Sequence, residues 1–145
     1  MKNVIKHLIL FVIGGSTYYF IECMFHLMTK GIAYSHWTMF FLGAICFLIV
    51  GGINEFFSWK TPFWKQCAIG AVTITAFELI VGCIVNLWLG WNVWDYNNLP
   101  LSFFNGQINL FFSIAWFMLS GVAIIVDDWL RYWLFCEEKP HYKFL

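Results

Sequence analysis

The sequence predicts an all-α integral membrane protein in which four transmembrane helices form one bundle, with residues 1–145 making a single domain. Three observations carry that expectation. Of 145 residues, 61% are hydrophobic and 11% charged, against about a quarter charged in a soluble domain, and mean hydropathy is +0.74. A chain this short has too high a surface-to-volume ratio to bury so much apolar surface in water. Aromatic residues reach 22% and include nine Trp, as expected where rings collect at membrane–water interfaces. Four runs approach the roughly 20 apolar residues that a helical span needs.

The first span is expected over residues 7–29. No small-residue cleavage site follows it, so it reads as a retained helix, not a signal peptide. The second covers 37–57 and must end before Pro62, which cannot continue a helix. The third covers 66–89 and the fourth 107–126. Three polar joints separate them: "KGIAYSH", "SWKTPFWK" and residues 91–105. After the fourth span, "DDWLRYWLF" reads either as a helix lying in the interface or as a plain extension of that span. The five Cys residues form no C-x-x-C pair, a pattern of neither zinc nor disulfides.

Four spans put both termini on one side. That side carries Lys2, Lys6, Lys60, Lys65, Arg131, Lys139 and Lys143, the other Lys30 alone. The positive-inside rule then places both termini in the cytoplasm of a cell-membrane protein. Net charge is zero, which leaves no electrostatic case for nucleic acid. The expected partner is the lipid bilayer.

Glu22 and Glu78 fall inside spans, where a carboxylate costs a few kcal/mol and usually marks function or a specific contact. Counting ~1.5 Å per residue puts Glu22 about 10 Å and Glu78 about 16 Å below the outer helix ends. Helical spacing lines up Tyr19, Glu22 and His26 on the first span. It lines up Thr75, Glu78, Gly82 and Asn86 on the third, and Asn109, Ser113, Trp116 and Ser120 on the fourth. In lipid such stripes must face one another or water. They read as a polar cleft open to the outside, with Gln107 near its rim, or as interhelical hydrogen-bond glue. Glu55, beside Asn54 and near Lys60, reads as part of an interfacial ion pair. Glu22 and His26 at i, i+4 offer two metal ligands, too few for a metal site on their own. No cofactor is expected. "IGGSTYYFIE" (13–22) and "IGAVTITAFE" (69–78) share Ile, Gly, Thr and Glu at equal spacing, which reads either as a parallel repeat or as a chance match among apolar residues.

The segment "WNVWDYNNLPLSFFNG" combines interfacial anchors, Trp91, Trp94 and Tyr96, with turn formers and the helix breaker Pro100. Gly106 allows a turn or a close approach before the fourth span. It reads as a cap dipping onto the outer mouth and bringing Asp95 toward Glu78 and Glu22, or as a plain aromatic-anchored loop.

"TYYFIECMFH", "FELIVGCIVN" and "VWDYNNLPLSFFNGQINLFFSIAWFML" together resemble the ABC-transporter permease family of the CmpB type. The matching residues are Glu22, Glu78, Trp94, Asp95, Tyr96, Pro100, Gly106, Ile108 and Trp116, across roughly residues 8–126. The first joint departs from that family, lacking its Asn-Arg-Gly run and Cys-Pro. The resemblance implies a transport role, and any ATPase would be a separate partner, because no G-x-x-x-x-G-K-[ST] occurs in the chain. Three functions fit the residues. The first is a transport or channel component with an acidic outward cleft. It would be homo-oligomeric, most simply a dimer, through close helix contact at Gly14, Gly15, Gly51 and Gly52. The second is a membrane enzyme acting on a lipid or isoprenoid. The third is an accessory subunit of another membrane protein.

Overall fold

The computed structural model describes residues 2–144, except the side chain of Lys2, so that member of the cation count lies outside the described residues. The chain forms α1 (Lys2–Lys30), α2 (Trp37–Gly51), a short α3 (Ile53–Phe56), α4 (Phe63–Gly82) and α5 (Leu110–Phe135). α4 continues directly into a π-helical stretch, Cys83–Trp88. Four stretches are long and apolar enough to cross a membrane: Asn3–Lys30, Trp37–Phe56, Phe63–Trp88 and Leu110–Phe135. The four expected helices are thus present, each with shifted ends.

The largest shift is in the last helix. It begins at Leu110 because Asn109 caps it, the Asn109 side-chain oxygen accepting from the Phe111 amide at 2.9 Å. It then runs unbroken to Phe135, so the tail is an extension of the fourth span and not a separate interfacial helix. The reason is burial: Asp127, Asp128 and Arg131 sit against the bend between α2 and α3. That bend falls at Gly51–Gly52, where a Cβ on Gly51 would lie 2.5 Å from the Asp127 Cβ.

α2 is the centre of the bundle. Half of its apolar window is buried, against 17–28% in the other three, and it packs against α1, α4 and α5. One core cluster joins Met39, Leu42 and Cys46 to Tyr18, Phe77 and Trp94. The other joins Val50, Ile53 and Ile124 to Phe63 and Tyr142. The outer faces are apolar and exposed, as at Val12, Phe20, Val72 and Val122, the inverse of a water-soluble bundle.

The helices pair as two hairpins, α1 with α2 and α4 with α5. Gly14 and Gly70, equivalent in the repeated decapeptide, each sit at the crossing of their own hairpin. A Cβ on Gly14 would lie 2.4 Å from the Phe47 ring on α2, and one on Gly70 2.6 Å from the Ser120 side chain on α5. Gly15 and Gly51 are likewise packed inside the chain, against Phe40 and Asp127. The contacts expected of these glycines between copies are made within one copy.

Both chain ends meet at the end of the bundle opposite residues 89–109. Lys6 donates to Glu137 at 2.5 Å, Tyr142 donates to Asp128 at 3.1 Å, and the Phe63 amide bonds the Lys143 carbonyl at 2.6 Å.

Candidate functional site

The segment after α4 folds back onto the helix ends and forms a small antiparallel hairpin, β1 (Ser102–Phe103) with β2 (Ile108–Asn109), an element the sequence reading did not anticipate. Phe104, Asn105 and Gly106, all at positive φ, make the reversal. Gly106 is required there twice over, since a Cβ at φ +72° would also lie 2.4 Å from an Asp95 carboxylate oxygen.

The amides of the site hold this hairpin in place. Asn86, turned inward on the π-helical stretch, donates to the Gln107 side-chain oxygen at 2.9 Å and accepts from the Val93 amide at 2.7 Å. Gln107 donates onward to the Asn105 carbonyl, and the Trp94 indole donates to the Gln107 carbonyl at 3.1 Å. Asn109, besides capping α5, donates to the Pro100 carbonyl and to the Ser102 hydroxyl, each at 2.8 Å. Gly82 lets the segment descend, because any Cβ there would lie 2.6 Å from Gln107 and 3.0 Å from Trp94.

One turn deeper stands Glu78, 4% exposed. One of its oxygens accepts from the Tyr96 hydroxyl at 2.8 Å and the other from the Trp116 indole at 3.1 Å. The cap therefore does dip into the bundle, but Tyr96 makes the contact and not Asp95. The Asp95 carboxylate is turned back on its own loop, accepting from the Asn97 amide at 2.8 Å in an Asx turn. Burial and the Glu78 carboxylate hold the Tyr96 hydroxyl well above its ordinary pKa, with Glu22 adding to the effect, so Tyr96 remains a donor at neutral pH. Its ring stacks on Phe112, centroids 4.8 Å apart.

Two of the three polar stripes meet as expected: the Thr75 hydroxyl donates to that of Ser113 at 3.1 Å, and Glu78 meets Trp116. The first stripe turns away. Glu22 accepts from the Ser35 hydroxyl at 2.8 Å, Tyr19 donates to the Ser35 carbonyl, and His26 bonds the Tyr34 carbonyl. All three face the joint 31–36, because Gly14 and Gly15 draw α1 onto α2 and set its rotation. Tyr18, which the helical spacing did not single out, faces inward instead, its ring 6.4 Å from Trp116.

Beside Glu78 lies a crevice of about 90 Å³ between α1 and α5, floored by α2 and α4. Its walls are chiefly apolar, from Gly14 and Ile21 on one side to Leu119, Val122 and Val126 on the other. It is not a polar cleft open at the capped end, since Tyr96 and Trp94 cover that end. Nor do three His, Cys, Asp or Glu side chains converge to hold a metal ion among the described residues. Glu22 and His26 approach to 4.0 Å.

A second polar cluster, at the opposite end, was missed. Asp127, Asp128 and Arg131 are each at most 5% exposed. Arg131 pairs with Asp127 and lies 3.8 Å from Glu55 and from Glu137, so Glu55 answers Arg131 and not Lys60. Asp128 accepts from Asn54 at 2.7 Å, and with burial it pushes the Tyr142 hydroxyl above its ordinary value. The i, i+4 spacing of Asp127 and Arg131 was the available signal, and neither reading of the segment, interfacial helix or extension of the span, made use of it.

No family model, no curated protein and no solved structure matches the chain.

Proposed function

We propose that the chain is a small multi-pass protein of the cell membrane, both termini cytoplasmic, acting as a transport or channel component for a cationic solute. It would work as a homo-oligomer, most simply a dimer, since four helices enclose little on their own. Glu78 is the binding carboxylate, and the segment carrying Tyr96 is the gate on the outward side. One observation carries this reading. Glu78 is almost fully buried, accepts only from neutral donors, and has no Lys, Arg or His within ion-pairing distance among the described residues. A buried charge without a counter-charge is expensive, and a visiting cation supplies what is missing. The accessory-subunit reading has its own support: Asn86, Gln107 and Asn109 use their polar groups to build the cap, leaving fewer of them for a solute.

The test is cation flux. Proteoliposomes loaded with potassium, sodium or methylammonium are compared with empty liposomes and with Glu78→Gln. The expected result is release that depends on protein and falls at least ten-fold in Glu78→Gln, with helicity and yield unchanged. Flux retained in the variant would make Glu78 a packing group.

A further inference from the structure

The crevice indicates what kind of cation Glu78 would take. We propose that this site binds an amphiphilic ammonium: a protonated nitrogen at Glu78 and a hydrocarbon body lying in the crevice between α1 and α5. The inference rests on the preceding reading of Glu78 as a cation-binding group and narrows its ligand.

Three features of the site converge. The first is electrostatic: Glu78 is the acidic residue of the crevice wall, and its two hydrogen bonds come from neutral donors, Tyr96 and Trp116, which bring it no counter-charge. The second is the ring environment. Trp116 and Tyr18, with centroids 6.4 Å apart, both line the crevice beside the carboxylate. Aromatic faces attract alkylammonium groups and do so most strongly where water is excluded. The third is shape. On α5 the crevice runs from Trp116 to Val126, ten residues or ~15 Å of helix. That is half of the ~30 Å hydrocarbon thickness of a bilayer, one leaflet's worth of chain.

The crevice also opens in the right direction. α1 meets α5 through the ring pairs Tyr18–Trp116 and Phe25–Phe112. Both pairs lie toward the capped end, and the crevice continues below them along Leu119, Val122 and Val126. Val122, at the mouth, is 56% exposed on the face that lipid would cover. An alkyl chain enters such a slot sideways from the membrane without crossing the cap, and a dry apolar slot of this kind excludes water. A small hydrated cation gains nothing from these walls.

The indole N–H of Trp116 reports on the site directly, because it donates to Glu78. The full chain is labelled with ¹⁵N in lipid nanodiscs, and the Trp116 signal is assigned with Trp116→Phe. It is titrated with dodecylammonium, butylammonium and dodecanol. The expected result is a saturable shift with dodecylammonium at a concentration at least ten-fold below that needed for butylammonium, and none with dodecanol. Glu78→Gln and Val122→Phe should each weaken it at least ten-fold; the latter narrows the mouth and leaves the carboxylate untouched. Equal response to butylammonium, or indifference to Val122→Phe, would overturn the amphiphile assignment while leaving Glu78 a cation site. A response to dodecanol as strong as to dodecylammonium would also overturn it. No response to any probe alongside Glu78-dependent flux would defeat this inference alone; no response and no flux would defeat both.

Discussion

The two hairpins share Ile, Gly, Thr and Glu at equal spacing in their first helices and treat their glutamates differently. In the first, Glu22 bonds Ser35 and has His26 at 4.0 Å, one turn along. In the second, the position equivalent to His26 is Gly82, and no Lys, Arg or His among the described residues pairs with the equivalent glutamate. The joints differ to match. Six residues (31–36) connect α1 to α2, whereas 21 residues (89–109) connect the π-helical stretch to α5. The absence of a side chain at position 82 makes room for a long segment to drop in, and Glu78 there accepts from Tyr96 of that segment and from Trp116 of α5. One hairpin keeps its glutamate paired near the joint; the other seals a bare carboxylate inside. The same Ile, Gly, Thr and Glu spacing thus holds its glutamate in two different surroundings.

The sharpest way to break this comparison is to exchange the neighbours. Gly82→His should displace the cap, since its side chain must occupy the space of Gln107 and Trp94. Overpacking together with the lost hydrogen bonds should cost ~3 kcal/mol or more. His26→Gly should cost ~1 kcal/mol, the helix-propensity penalty of glycine. Unfolding in detergent, followed by tryptophan fluorescence, measures both. Equal losses would mean that Gly82 is not what admits the cap.

A second pair tests the crossings. Gly14→Ala and Gly70→Ala should each destabilise by ~1–3 kcal/mol, because each Cβ meets the root of a side chain and not its flexible end. Gly121→Ala, 3.2 Å from the Cys67 sulfur, should fall below both in the same assay. If only one of the equivalent glycines matters, the repeat is a coincidence of sequence.

The smallest effects are expected at the hydroxyls. Tyr96→Phe and Ser35→Ala each remove one donor to a glutamate, a loss of ~1 kcal/mol. Tyr96→Phe should be the larger, since Glu78 is the more buried acceptor. The reverse order would place the weight on Glu22.

Why some of this was legible in the sequence and some was not follows from the kind of information each feature needs. Span lengths depend on composition alone, so the four long helices emerged readily. Helical periodicity found the facing of Thr75 and Glu78 toward Ser113 and Trp116, because these four residues lie on regular helix. It failed for α1, where rotation depends on which partner the glycines touch, and so promoted Tyr19 over Tyr18. It failed again at Asp95. Adjacent loop residues point in different directions, and only the backbone of the Asx turn decides that Tyr96 faces inward. The cluster at Asp127 and Arg131 escaped because a charged run after an apolar span looks like an interface until the bend at Gly51–Gly52 is known to cover it.

The ion pair between Lys6 and Glu137 also has a consequence in time. The two residues are 131 apart in sequence, and a ribosome adding about 5–20 residues per second needs roughly 7–26 s to cover that distance. Throughout that interval α1 is already made and its lysine has no partner. Until then the first helix is held by its other contacts, to α2, to the joint 31–36 and, once α5 is made, to Trp116 and Phe112, and the closing of this end of the bundle awaits the synthesis of the tail.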